Sequence, residues 1–237
     1  MLFRSQVHPH TDYLLLGEVH REPAVQRNIA TFIQHLRQRF PQRTIFMFSE
    51  FLPQDIPWEQ VLSLPRFPIP YIRVWTECSF ANIPVVGLEP NFVVDMPYPL
   101  IVSAESLALP GSMQHTKPMW ATVEGTRLRN QHWMKLLHQY RQEYPDALFV
   151  VHAGTAHVEY NEPYSLGSQL AKERTQVFTF EVPHQPSDFH QLTNHHFKDR
   201  ILQFQNKKLS HMAGFDISIK IQPRPTPIPE DLENIRL

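Results

Sequence analysis

Two segments of this 237-residue chain repeat the same grouping of reactive side chains. Gly17-Glu18-Val19-His20 closes an apolar run that begins at Tyr13, and Gly154-Thr155-Ala156-His157 closes another that begins at Leu148. Only seven glycines occur in the chain, so a histidine three positions after a strand-end glycine, twice, is a specific arrangement. Two further apolar runs end in carboxylates, at Ser49-Glu50 and at Gly87-Leu88-Glu89, and Glu159 follows His157 by two positions. Two neutral imidazoles with two or three carboxylates can bind a divalent cation. The same groups can also act as a general-base pair without metal. Arg129 lies four residues before Trp133, on the apolar side of its helix, where an unpaired charge is costly. Its partner is therefore a strand-end carboxylate or an oxyanion developing on a substrate. Arg127 and Asn130 point elsewhere on the helical wheel and are set aside.

These residues need a scaffold that brings strand ends together. Residues 13–17 read as a buried strand and residues 23–40 as a helix opened by Pro23, with Val25, Ile29, Phe32, Ile33, Leu36 and Phe40 at helical spacing. Strands are expected over 44–50, 84–90, 147–154 and 176–182, and helices over 71–82 and 124–143. A short helix is expected within 165–174 and another around 197–206, and residues 216–221 alternate like an edge strand. Proline-rich stretches at 53–70 and 84–118 read as stiff loops, and residues 223–237 as a polyproline II tail. Alternation of strand and helix predicts a three-layer α/β domain with a mostly parallel central sheet and helices on both faces. One domain spans residues 1–222, with its core at 13–182. In open sheets of this kind ligands bind beyond the carboxyl ends of the strands, which is where the glycine–histidine segments fall. A glycine there allows φ > 0 or a close backbone approach.

Composition narrows the function classes. Apolar residues make up 42% and charged residues 19%, with a formal net charge of −1, so a basic nucleic-acid surface is not expected. No run approaches the ~18 consecutive apolar residues of a membrane span. The N-terminal segment has neither a signal-like apolar core nor a lipid-anchor cysteine, so a cytoplasmic protein is expected. Cys78 is the single cysteine and reads as a small core residue, which excludes a disulfide framework or multi-cysteine zinc site. Of the 14 histidines, His184, His190, His195, His196 and His211 read as a polar surface excursion rather than a second metal or haem site. "GTAHVEY" lacks the G-x-S-x-G elbow, and no phosphate-cradling glycine loop is present.

"LLLGEVH", "FSEFLP", "RLRNQHW" and "VVHAGTAHVEYNEPYSLG" occur in the order seen in the ChaN-like, TIKI, TraB and erythromycin-esterase superfamily. Over residues 13 to 182 the chain resembles that group, and "GEVH" with the late P-x-S-L is most similar to its ChaN-like branch. The resemblance implies an α/β fold with two pseudo-repeated halves and a site of Glu18, His20, Glu50, Arg129 and His157. TIKI members are metal-dependent proteases, erythromycin esterases use a histidine base, and ChaN is associated with haem and iron uptake. The chain departs from the group in having no lipoprotein signal, in Arg129-Asn130 where the esterase branch commonly has Arg-Asp, and in a 91–122 segment that matches no motif.

The expectation is a hydrolase of an ester or amide bond, metal-dependent or histidine-based, acting on a small molecule or peptide. In the metal form His20, Glu50 and His157 hold Mn²⁺, Co²⁺ or Zn²⁺, Glu18 is the general base and Arg129 stabilises the oxyanion. Without metal, His20 is the base, oriented by Glu50. Glu89 and Glu159 are possible additions to the site. The alternative is a non-enzymatic protein that binds haem or a metal ion, and a third reading has the proline-rich tail docking into an aromatic groove.

Overall fold

The computed structural model describes residues 6–18, 23–54, 56–61, 69–90, 123–162, 164–181, 200–204 and 216–222. His20, the 91–122 segment, most of the histidine-rich stretch and the 223–237 tail lie outside them. The chain runs β1 (Tyr13–Glu18), α1 (Pro23–Arg39), β2 (Ile45–Pro53), α2 (Trp58–Val61), α3 (Ile69–Phe80) and β3 (Val85–Glu89). It continues with α4 (Val123–Glu143), β4 (Leu148–Gly154), α5 (Thr155–Val158), α6 (Leu166–Gln169), β5 (Thr175–Glu181), β6 (Arg200–Phe204) and β7 (Ile217–Gln222). The proline-rich 53–70 stretch is thus not all loop, since it holds α2 and the first residues of α3. The short helix expected within 165–174 shrinks to α6, opened by Ser165, whose Oγ accepts from the Ser168 N–H.

The strands form one sheet in the order β3-β2-β4-β1-β5-β7-β6. Neighbours from β3 through β5 are all parallel, as are β5 and β7, and β6 alone runs antiparallel, along β7. Side chains alternate across each strand and sort into two cores. Leu14, Leu16, Ile45, Met47, Leu148, Val150, Phe178 and Phe180 pack beneath α1 and α3, against Ile29, Phe32, Ile33, Val74 and Trp75. Tyr13, Leu15, Phe46, Phe48, Phe149, Val151 and Val177 pack beneath α4 to α6, against Trp133, Leu137, Val158 and Leu166. Each fully buried leucine or phenylalanine contributes about 1.5–3 kcal/mol, which is why near-continuous apolar runs form the strands.

From β1 to β3 the chain moves one way along the sheet with its helices on one face. It then returns through α4 to insert β4 between β1 and β2, with helices on the other face. Right-handed crossovers require that change of face when the direction reverses. The connections leaving β1 and β4 therefore part to opposite faces and open a crevice beyond their carboxyl ends.

Two sequence expectations at the far edge are corrected. Residues 200–204, expected within a helix, form β6 and pair from Arg200 with Gln222 through Phe204 with Ser218. A short apolar run such as Ile201-Leu202-Gln203-Phe204 suits either period, and long-range pairing with β7 decides it. As a result β7 is not the edge strand. Its isoleucines 217, 219 and 221 are buried in the α1 core, and β6 covers its outer side.

Candidate active site

Strand parity divides the predicted residues between the two faces. On β2, Phe46 and Phe48 face α4, so Glu50 emerges on the α4 side. On β1, Leu14 and Leu16 face α1, so Glu18 emerges on the α1 side, as does His152 after Leu148 and Val150 on β4. Glu50, Glu89, Arg129 and His157 come together over one face, and Glu18 lies on the other.

Arg129, in the second turn of α4, is the centre of the first cluster. Its Nη2 donates to Glu50 Oε1 at 2.6 Å and also to Glu89 Oε1, and its Nε donates to the same Glu89 oxygen at 2.9 Å. Its Nη1 lies 3.1 Å from His157 Nε2. His157 Nδ1 is 2.7 Å from Asn130 Oδ1, and Asn130 Nδ2 donates to the Tyr164 carbonyl at 2.9 Å. Trp133 forms the floor, its ring 4.6 Å from that of His157 and 5.0 Å from the Arg129 guanidinium. Glu50 Oε2 accepts from the Gly154 backbone N–H at 2.6 Å, which ties the cluster to the end of β4.

The electrostatics follow from this closeness. Burial alone would pull the Arg129 guanidinium down, but Glu50 and Glu89 outweigh it and hold the group above its ordinary value. Burial pushes the Glu89 carboxyl up to about 7, opposed by Arg129 and reinforced by the Glu50 charge. Glu89 is also the more exposed acid, with 17% of its side-chain surface open against 7% for Glu50. A carboxyl that titrates near neutrality beside a fixed cation can take and return a proton.

The same geometry bears on a metal ion. Arg129 occupies the cationic position between Glu50, Glu89 and His157, and its Nη1 faces the His157 Nε2 that a metal would use. Among the described residues, no three His, Cys, Asp or Glu side chains are arranged to hold a metal ion. As arranged, the described residues of this cluster do not fit one.

On the α1 face Glu18 is fully buried. It accepts from Gln26 Nε2 on α1, and its Oε2 lies 3.2 Å from His152 Nε2. His152 is itself fully buried against Phe51, with ring centroids 5.0 Å apart, and among the described residues its Nδ1 meets no hydrogen-bond partner. Glu159 caps α5, and its carbonyl accepts from Ser165 Oγ.

Asn130, set aside from the helical wheel, is fully buried and touches His157, which corrects that expectation. Met134 is buried as well as Trp133 and Leu137, so the apolar face of α4 is wide enough to include position 130. Cys78 is a buried core residue on α3, as expected, and burial pushes its thiol up. Both strand-end glycines in β1 and β3 serve close approach. A Cβ on Gly17 would lie 2.6 Å from Val158 Cγ2, and one on Gly87 would lie 2.0 Å from the Pro53 carbonyl oxygen.

No family model matches the chain, and no curated protein matches it. Similar solved structures include the type III effector HopBA1, 12% identical over 90% of this chain and 88% of that one, with a TM-score of 0.49. RRSP, a MARTX toxin effector domain from Vibrio vulnificus, is 15% identical over 73% of this chain, which spans 34% of the RRSP chain, with a TM-score of 0.43. ChaN of Campylobacter jejuni, solved with cofacial haem binding, is 10% identical over 94% of this chain and 91% of that one, with a TM-score of 0.41. The chemistry rests on the side chains described above and not on these likenesses.

Proposed function

We propose that the chain is a hydrolase of an ester or amide bond that works through Arg129 and Glu89, with water as the nucleophile. The observation that supports this best is the buried Arg129 held in one orientation by Glu50, Glu89 and His157 at the carboxyl edge of the sheet. Nη1 carries two hydrogens and makes one contact among the described residues, so one N–H remains for a substrate oxygen. Glu89 in its ionised form takes a proton from water as that water bonds to the carbonyl carbon. The carbonyl oxygen becomes an oxyanion that Arg129 stabilises. Collapse of the tetrahedral species breaks the C–O or C–N bond, and Glu89 returns the proton to the departing oxygen or nitrogen.

The metal-dependent reading places a divalent ion on His20, Glu50 and His157, which requires Arg129 to withdraw from both Glu50 and His157. The experiment is turnover of a panel of activated esters and small peptides by chelator-treated protein. Activity should survive chelation and fall by about 100-fold or more in Glu89→Gln. It should be retained in Glu18→Gln, whose carboxylate is buried on the opposite face. Activity that is lost on chelation and restored by Mn²⁺ or Zn²⁺ would replace this reading with the metal-dependent one. Loss in Glu18→Gln alone would move the chemistry to the end of β1.

A further inference from the structure

We infer that Asn130 is a positioning residue: anchored to the Tyr164 carbonyl, it holds His157 in the neutral tautomer protonated at Nδ1, so that Nε2 faces Arg129 as an acceptor. The inference deepens the site proposed above and concerns how that site keeps a single cation at its centre.

Each step follows from what the atoms can donate or accept. A backbone carbonyl only accepts, so the Asn130 atom facing Tyr164 O at 2.9 Å is the amide nitrogen, and its rotation is settled. Oδ1 then faces His157 Nδ1 at 2.7 Å, and because an amide oxygen only accepts, Nδ1 carries the hydrogen. At the other side of the ring a guanidinium only donates, so Nε2, 3.1 Å from Arg129 Nη1, presents its lone pair. The two ends of the imidazole therefore agree on one neutral tautomer. Glu50 Oε1 lies 3.5 Å from Nε2 and already accepts from Arg129 Nη2 at 2.6 Å. The ring packs against Trp133, tilted by 35° with centroids 4.6 Å apart, which limits its freedom to turn over.

The anchor is itself unusual. Tyr164 sits in the left-handed region with φ 65, a conformation that costs a bulky residue on the order of 1–3 kcal/mol. Its carbonyl accepts from both Asn130 Nδ2 and Gln169 Nε2, the latter at 2.8 Å, which helps to hold that strained backbone in place. The strain thus lies at the residue that sets the Asn130 amide, and through it the protonation site of His157.

The test is the ring-nitrogen NMR signature of His157 in the full chain labelled with ¹⁵N-histidine, assigned by its disappearance in His157→Gln. The wild-type protein at pH 7.5 should show a protonated Nδ1 and an unprotonated Nε2. Tyr164→Gly, which keeps the carbonyl, should retain that pattern, and Asn130→Ala should lose it. An Nε2-protonated or doubly protonated ring in the wild type, the pattern unchanged in Asn130→Ala, or its loss in Tyr164→Gly would each overturn the inference. The spectrum requires no turnover, so this result stands apart from the success or failure of the hydrolase reading.

Discussion

Glu50 and Arg129 are joined so that one side chain links three elements. The Glu50 carboxylate accepts from Arg129 Nη2 at 2.6 Å through one oxygen and from the Gly154 N–H at 2.6 Å through the other. The end of β2 is thereby tied to α4 and to the start of α5. The arginine is as much a structural cation as a candidate for substrate contact, because both of its carboxylate partners are largely shielded from water.

Removing that cation leaves two carboxylates facing each other in a poorly solvated site. Arg129→Met should destabilise the protein by about 3–5 kcal/mol, measured by urea denaturation. Arg129→Lys should lose less, because it keeps the charge while giving up the fork that reaches Glu50 and Glu89 together.

The raised Glu89 carboxyl gives stability a definite pH slope. Folded Glu89 holds its proton up to about 7, while the unfolded chain releases it near 4.5. Between those values the folded state binds more protons, so this group's contribution to stability falls as pH rises, by at most about 1.4 kcal/mol per pH unit. Above the folded value both states are ionised and the slope from Glu89 ends. Denaturation midpoints across this window should show the decline in the wild type, and Glu89→Gln should flatten it. A slope that steepens in the variant would contradict the assignment.

The two close-approach glycines should differ in what they tolerate. A methyl at Gly87 meets the Pro53 carbonyl oxygen at 2.0 Å and its carbon at 2.4 Å, so backbone must move. A methyl at Gly17 meets the end of the Val158 side chain at 2.6 Å, which can turn away, and Thr155 Cα at 3.2 Å. Thermal unfolding should therefore show Gly87→Ala costing about 3 kcal/mol or more and Gly17→Ala less than that.

Much of this arrangement was legible in the residues. The apolar runs of β1, β2 and β4 mark a parallel sheet buried on both faces. The spacing of Arg129 from Trp133 marks a buried cation that must find an acid, and Glu50 and Glu89 are those acids. What one strand cannot reveal is which face its alternate residues take. Glu18 and Glu50 look equivalent at their strand ends, yet Leu14 and Leu16 carry Glu18 toward α1 while Phe46 and Phe48 carry Glu50 toward α4. His152 is hidden for the same reason: within "LFVVHAG" it resembles one polar interruption of a core strand, and only the neighbouring β1 shows that it faces Glu18. Residues 200–204 form a strand that their local sequence does not mark, because their partner, β7, lies more than a dozen residues further along the chain.

If Glu89 carries the proton beside a fixed Arg129, the pH dependence of kcat/KM reports its ionisation. With a hydrolysable activated ester, the wild-type rate should rise through a single ionisation at about 7 and level off as Glu89 becomes carboxylate. In Glu89→Gln that limb should vanish along with most of the activity. A limb of the same midpoint persisting in Glu89→Gln would contradict the account and assign the proton transfer to another group.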